Sequence, residues 1–353
     1  MSLAIELCER GLLPDPLVRF GMRRLMANRL RNEGEGAGDQ QFERYHRRLD
    51  ELRQSRIALD TDKANEQHYE VPAEFFQLVL GRNLKYSCAW FAPSSTGLDD
   101  AEEQMLAMTC ERAELADGQA VLELGCGWGS LTLWMARRYP NSRITAVSNS
   151  SSQREFILGR AAEMGLENVA VITADANDFT TDQRFDRVVS IEMFEHMRNY
   201  QALMARIAGW LNPGGKLFVH IFCHRQLMYP FSVEGSYDWM AEYFFTGGLM
   251  PSEHTLLYFQ DDLRLERQWR VPGQHYEKTC NAWLEKLDTQ RDAARAVFVP
   301  VYGEAEAERW INRWRMFFMA CAELFGFDEG NEWFVAHYRF AKPAEAAAAG
   351  DTG

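Results

Sequence analysis

Short apolar runs alternate with stretches of helical periodicity between residues 120 and 222, and this alternation constrains the fold more than any other feature. Strands are predicted near residues 120–124, 144–148, 169–173, 186–191 and 216–222, with helices over 129–139, 151–165 and 200–211. Strands that alternate with helices form a parallel, doubly wound sheet. The sequence therefore predicts an α/β, Rossmann-like fold, in which ligands bind at the carboxyl edge of the strands.

A glycine-rich turn follows the first of these strands, in the sequence VLELGCGWGS at residues 121–130. Glycine lets the backbone approach a ligand closely and adopt positive φ. The spacing GxGxG differs from the dinucleotide fingerprint GxGxxG, and no lysine follows that could grip a phosphate. With Glu123 just ahead, the turn suits a ligand with positive charge, such as S-adenosylmethionine (SAM). The alternative is a glycine turn that only joins a strand to a helix.

Polar residues follow the next two strands. Asn149 and Gln153 can hydrogen-bond the ribose hydroxyls of a nucleotide-like ligand, although the same serine-rich stretch is suited to capping a helix. After the third strand, Asp175 and Ala176 stand where the exocyclic amine of adenine would be recognised. Asp175 taken alone is equally suited to a turn.

The fourth strand leads directly into IEMFEHM at residues 191–197. Glu192, Glu195 and His196 place two carboxyl groups and an imidazole within five residues at the carboxyl end of the sheet. Such a cluster can orient a nucleophile and accept its proton, and the pKa of histidine suits proton transfer near neutral pH. A surface turn at a helix start is the alternative, but the position favours a catalytic cluster.

The 353 residues predict one large domain with insertions. Residues 1–60 read as a helical region, with a mobile link over 31–40 and a helix over 41–57. The main domain spans 61–342, and the low-complexity tail over 343–353 is expected to be disordered. Within the main domain, residues 223–254 form an aromatic insertion that we interpret as a lid. The C-terminal part, 277–325, is predicted to contain helices over 277–295 and 304–325.

The net charge of −13 argues against nucleic acid as a partner and against stable membrane association, and it suits a cationic small molecule. The basic stretch over 19–31 is either a solvated helix face or a membrane patch. Seven scattered cysteines without a CxxC pair indicate neither a metal site nor a disulfide framework, so we expect a cytoplasmic protein. The sequence leaves the oligomeric state open and is compatible with a homodimer.

Taken together, these stretches resemble the SAM-dependent methyltransferases of the cyclopropane fatty acid synthase family. The closest resemblance within it is to the branch of benzylisoquinoline, coclaurine-type N-methyltransferases. The resemblance covers residues 60–342 and is carried by LELGCGWGS, IEMFEHM, LFVHIFCH at 217–224 and YFFTGGLMPS at 243–252. It implies a class I methyltransferase sheet with N-terminal helices and an aromatic lid.

The resemblance also implies roles for individual residues. SAM contacts are implied for Tyr86, Ser87, Gly125, Gly127, Asn149, Gln153, Asp175, Ala176 and Ile191. Glu195 and His196 match the residues that act on a substrate amine, and Glu192 matches an acidic residue of the N-methyltransferase branch. Tyr69 and Glu70 match a gate over the site.

The lipid-modifying members of this family hold a bicarbonate ion as a base, and the matching positions here are Cys88, Glu195, His220 and Tyr276. Bicarbonate therefore stays open as a second bound group beside SAM. The favoured reaction is direct displacement of a methyl group onto a small secondary or tertiary amine, such as an alkaloid. Cyclopropanation or C-methylation of unsaturated acyl phospholipids is the alternative, and a SAM-binding protein without turnover is a third interpretation.

Overall fold

The computed structural model describes residues 3–59, 71–231 and 239–343. The N-terminal region is helical, as predicted, and consists of α1 (Leu3–Glu9), α2 (Asp15–Glu33) and α3 (Gly38–Gln54). The predicted link over 31–40 is shorter in the structure, since only residues 34–37 separate α2 from α3. The gate residues Tyr69 and Glu70 and the tail over 344–353 lie outside the described residues.

The predicted strand–helix alternation is present. Two helices, α4 (Ala73–Val79) and α5 (Leu98–Arg112), precede it. Its elements are β1 (Ala120–Leu124), α6 (Ser130–Arg138), β2 (Arg143–Ser148), α7 (Ser151–Glu163), β3 (Val169–Thr173), β4 (Phe185–Ile191), α8 (Tyr200–Trp210) and β5 (Leu211–His224). Strand β5 starts earlier than predicted because Leu211 already pairs with Phe185, ahead of an irregularity in the register.

The rest of the described chain adds the insertion and the C-terminal part. Its elements are β6 (Tyr229–Pro230), α9 (Trp239–Tyr243), β7 (Leu249–Met250), β8 (Arg264–Val271), α10 (Gly273–Thr289), α11 (Arg291–Tyr302), α12 (Glu304–Gly326) and β9 (Trp333–Ala341). The prediction of one helix over 277–295 was wrong. Gln290, with φ −104° and ψ 21°, leaves helical geometry and separates α10 from α11.

The central sheet has the order β3-β2-β1-β4-β5-β9-β8. Strands β1 to β5 are parallel, as predicted, whereas β9 and β8 pair antiparallel at one edge. The register places His220 of β5 opposite His337 of β9, and His337 opposite Trp269 of β8. Because directly opposed residues project to the same face of a sheet, these three side chains form one row.

Helices cover both faces of the sheet. Helix α8 and part of α3 pack on one face, and α5 and α6 pack on the other. A second, strongly aromatic core joins α2, α4 and the C-terminal helices, with Trp283 and Trp314 fully buried. This second core contains Cys88 and Tyr276, and it meets the carboxyl ends of the parallel strands. Across the described ranges, every helix is too short or too polar to cross a membrane.

Candidate active site

The glycine turn between β1 and α6 needs glycine at each of its three positions. The φ angles are 79° at Gly125, 51° at Gly127 and 80° at Gly129. These values lie in the left-handed region that L side chains rarely adopt. A Cβ atom on Gly125 would also lie 2.7 Å from the side chain of Met193. The turn therefore brings bare backbone to the N-terminus of α6, where the orphan N–H groups of the helix suit a carboxylate.

Two cavities lie along the carboxyl edge of the sheet and share Gly125, Gly127, Gln153, Met193 and His196 as walls. The predicted SAM residues Tyr86, Ser87 and Ile191 line the first cavity, and Asn149 and Ala176 line the second. The structure therefore brings these predicted residues together around one continuous region.

Asp175 does not line either cavity. Its carboxylate instead accepts a hydrogen bond from the backbone N–H of Asn177 at 2.6 Å, so the side chain serves a turn. The helix cap expected beside Asn149 is present as well, since the hydroxyl of Ser150 accepts from the N–H of Gln153. Gln153 also accepts a hydrogen bond from Ser148 at 2.7 Å, which holds its amide at the wall of both cavities.

Several buried polar groups of the first cavity have no hydrogen-bond partner within the described ranges. These atoms are Trp128 Nε1, Ser130 Oγ and Glu195 Oε2. Burial raises the pKa of Glu123, which lines the same cavity, to about 8, although Thr132 donates a hydrogen bond to it. Buried polar atoms are usually hydrogen-bonded, so these three atoms are available to a ligand in this cavity. Trp128 and Ser130 were not predicted as site residues, although both belong to the glycine motif.

The carboxylate of Glu192 lies at the centre of a cluster of hydrogen-bond donors. It accepts from the N–H of Cys88 at 2.9 Å and from the hydroxyl of Tyr276 at 2.5 Å, and His220 Nε2 lies 3.1 Å away. The resemblance placed Glu195 with these three residues, but their donors converge on Glu192. Glu192 has φ 48°, and its N–H donates to the carbonyl of His220 at 2.8 Å. This left-handed backbone is a strained geometry of the kind that functional sites retain.

Cys88 contributes its backbone and not a thiolate. Burial raises the pKa of its thiol well above the usual value, and the thiol faces the carbonyl of Ala89 at 3.3 Å. The buried Lys85 donates to the carbonyl of Cys88 at 2.8 Å and to the hydroxyl of Ser87. Burial lowers the pKa of Lys85, and the charge of Glu192 opposes that shift. Sequence reasoning missed Lys85, although a lysine inside the apolar segment LKYSCAWF is a usable signal.

Glu195 and His196 follow on a short 3-10 helix, Phe194–His196. Burial and the nearby charge of Glu192 raise the pKa of Glu195 well above the usual value. Burial also raises the pKa of Glu192, but Lys85, the Cys88 N–H and Tyr276 oppose that shift. The two carboxyl groups thus have different environments, one rich in donors and one with an unpaired oxygen. Glu195 is the one that holds a proton more readily.

The insertion between β5 and β8 closes the first cavity with apolar side chains. Phe231, Met240, Phe245 and Met250 line the cavity together with Phe222 of β5. The ring centroid of Phe245 lies 4.8 Å from that of Phe231, 5.6 Å from that of Phe222 and 4.7 Å from that of His196. The insertion therefore contributes an aromatic wall to the cavity. Its role as a lid stays a prediction, and residues 232–238 of it lie outside the described residues.

Comparison with known proteins adds three findings. The model of the mycolic acid cyclopropane synthetase family matches residues 58–332. The (S)-coclaurine N-methyltransferase of Thalictrum flavum subsp. glaucum is 39% identical over 348 residues, which are 97% of this chain and 96% of that protein. The cyclopropane-fatty-acyl-phospholipid synthase of Escherichia coli (strain K12) is 28% identical over 275 residues, 77% of this chain and 67% of that enzyme.

A solved structure extends the comparison to the fold. The crystal structure of coclaurine N-methyltransferase bound to N-methylheliamine and SAH matches with a TM-score of 0.92 and 38% sequence identity. The match covers 96% of this chain and 99% of that one. Because the match leaves out only a small part of this chain, the similarity is not confined to the sheet.

Proposed function

The chain belongs to the mycolic acid cyclopropane synthetase family and is a SAM-dependent methyltransferase, and we propose that it methylates the nitrogen of a small secondary or tertiary amine. One observation carries the amine assignment. The buried Oε2 of Glu195, which has no partner within the described ranges, lies with His196 in the wall of an aromatic cavity. An N–H group or ammonium satisfies such an oxygen, whereas an acyl chain offers it no donor.

SAM is held in this proposal by the two adjoining cavities. Tyr86, Ser87 and the glycine turn hold the methionine part, and Asn149, Gln153 and Ala176 hold the adenosine part. Glu123 supplies negative charge on the cationic side of the ligand. When bound, SAM supplies a methyl group activated by its sulfonium.

The remaining residues prepare the acceptor. A protonated amine has no lone pair. Its positive charge stabilises the ionised form of Glu195, which, assisted by His196, accepts the proton at Oε2. The nitrogen lone pair then forms the bond to the methyl carbon, and the methyl–sulfur bond breaks with its electrons left on sulfur. Phe222, Phe231 and Phe245 exclude water and stabilise the cationic groups through their ring faces. Holding both reactants at attack distance contributes most of the acceleration.

Bicarbonate does not fit this site as it stands. The three donors that the resemblance assigns to bicarbonate, on Cys88, His220 and Tyr276, are already engaged by the carboxylate of Glu192. A second anion beside that carboxylate would be repelled and would lack these donors. We therefore propose that methyl transfer proceeds without bicarbonate.

A mass-spectrometric screen tests the proposed function. The enzyme and SAM are incubated in parallel with a panel of cyclic and aralkyl amines and with vesicles of unsaturated phospholipid. Products heavier by one methyl group on amines alone are the expected result. Product on lipid alone would overturn the amine assignment, and no product on either class would overturn the assignment of turnover to these substrates.

A further inference from the structure

A chain of hydrogen bonds runs from Glu192 along one face of the sheet to α5. His220 Nδ1 lies 2.9 Å from His337 Nε2, and His337 Nδ1 lies 2.7 Å from a guanidinium nitrogen of Arg112. With the contact between His220 Nε2 and Glu192, these bonds connect the active-site carboxylate to the last turn of α5. The two rings face each other because β5 and β9 pair in the register that opposes them.

The chemistry of the end group decides the direction of this chain. A guanidinium can only donate, so His337 Nδ1 must accept and must carry no proton. The proton of a neutral His337 is then on Nε2, which donates to His220 Nδ1. The same logic places the proton of His220 on Nε2, where it donates to Glu192. Burial lowers the pKa of both histidines well below the usual value, which agrees with two neutral rings.

We propose that Arg112 and His337 are positioning residues that fix both imidazole tautomers and thereby hold Glu192 as an ionised acceptor. This proposal concerns the site of the proposed function and rests on it for its catalytic meaning. The chain is not an exit path for protons, because arginine does not give up its proton under ordinary conditions. Glu192 therefore stays an anion, and Glu195 is left as the carboxyl group that exchanges a proton with the substrate.

Other charged or titratable groups also face Glu192, and the test has to separate the chain from them. They are Lys85 and Cys88 before α5, Glu195 on the 3-10 helix, Tyr276 and Cys280 on α10, and His220 with His337 behind it. Of these groups, only His337 contacts Arg112 directly, so a substitution at Arg112 reaches Glu192 through the two histidines.

Arg267 provides a matched control for that substitution. The guanidinium groups of Arg112 and Arg267 both lie over the ring of Trp269, at 5.2 Å and 5.1 Å from its centroid. Arg112 contacts His337, whereas Arg267 is exposed and has no hydrogen bond to either histidine. Arg112→Met and Arg267→Met each remove one positive charge that lies over the Trp269 ring. Only Arg112→Met also interrupts the chain of hydrogen bonds to Glu192.

Nitrogen NMR of protein labelled with ¹⁵N at histidine tests the tautomers without any substrate. His220 and His337, assigned with a His337→Gln variant, should both carry their proton on Nε2 in the native protein and in Arg267→Met. In Arg112→Met, His337 should become a mixture of tautomers, and Arg112→Lys should restore the native form. A proton on Nδ1 of either native ring, or an Arg112→Met spectrum identical to the native one, would overturn the proposal.

The pH dependence of turnover tests the effect on Glu192. Loss of a donor destabilises the anion, so the acid limb of kcat should move to higher pH by about one unit in Arg112→Met. It should stay in place in Arg267→Met, with the KM for the amine little changed in both. Identical acid limbs in the two variants would overturn the role at Glu192. If no amine is methylated at all, only the proposed function fails, because the NMR result stands apart from activity.

Discussion

The donor region and the acceptor region of this active site are built in opposite ways. The centre of the donor region is the glycine turn with Gly125 and Gly127, which are neighbours in the chain, and it depends on backbone conformation and a helix N-terminus. The acceptor region gathers Cys88, His220 and Tyr276 from separate parts of the fold around one carboxylate. The first region recognises a ligand by shape and exposed backbone, and the second controls where protons and charges lie.

This difference predicts that damage to the two regions has separable consequences. Changes in the donor region should weaken SAM binding and leave the chemistry of bound substrates nearly intact. Changes in the acceptor region should leave SAM binding intact and reduce turnover. Four experiments test this separation.

The largest effect is expected for the joint replacement Glu195→Gln and His196→Asn. Without a proton acceptor the amine stays protonated, so turnover should fall by about a thousandfold or more. Turnover is measured by mass spectrometry and SAM affinity by calorimetry, and the affinity should remain close to that of the native protein. Native turnover in this variant would remove Glu195 and His196 from the mechanism.

Glu192→Gly should lower turnover by about a hundredfold, because the His220, Tyr276 and Cys88 donors lose their anion. Glycine tolerates φ 48° at this position, so the backbone should remain in place. Acetate or bicarbonate should then restore part of the activity by occupying the vacated space. The native enzyme should respond to neither anion nor to bicarbonate depletion, and a requirement for bicarbonate in the native enzyme would contradict the proposed mechanism.

Gly125→Ala should weaken SAM binding by about 10- to 100-fold, because the added Cβ would collide with Met193 and the positive φ is unfavourable. Gly127→Ala is the matched control. Its Cβ would meet nothing within 4 Å, so only the left-handed backbone penalty of about 1 kcal/mol applies. Calorimetric titration with SAM compares the two, and equal losses would show that the contact with Met193 is unimportant.

The smallest effect concerns Glu123, whose pKa of about 8 keeps it mostly protonated at neutral pH. A cationic ligand stabilises its ionised form, so SAM binding should release a proton. Affinity should therefore increase as pH rises from 6 to 7, by roughly threefold. Calorimetry in buffers of different ionisation enthalpy measures the released proton. In Glu123→Gln the release should vanish, and its persistence there would assign the proton to another group.

Much of the fold was predictable because the information is local. The strands near 120–124, 144–148 and 169–173 were predicted within about a residue, since each is a short apolar run bounded by turns. The break at Gln290 and the early start of β5 at Leu211 were missed. The start of β5 depends on the pairing of Leu211 with Phe185, a contact that no local pattern records.

The sequence by itself determined the donor side of this protein, because a strand, a glycine turn and a helix N-terminus are neighbours in the chain. The sequence also predicted that Glu192, Glu195 and His196 lie at the carboxyl edge of the sheet. Only the tertiary structure decided which carboxyl group takes which environment. The left-handed backbone of Glu192 turns its side chain toward Cys88, His220 and Tyr276. The pairing of β5 with β9 places His337 behind His220, and the end of α5 adds Arg112. Contacts between segments this far apart arise from packing and strand register, and they cannot be predicted from the spacing of residues in the sequence.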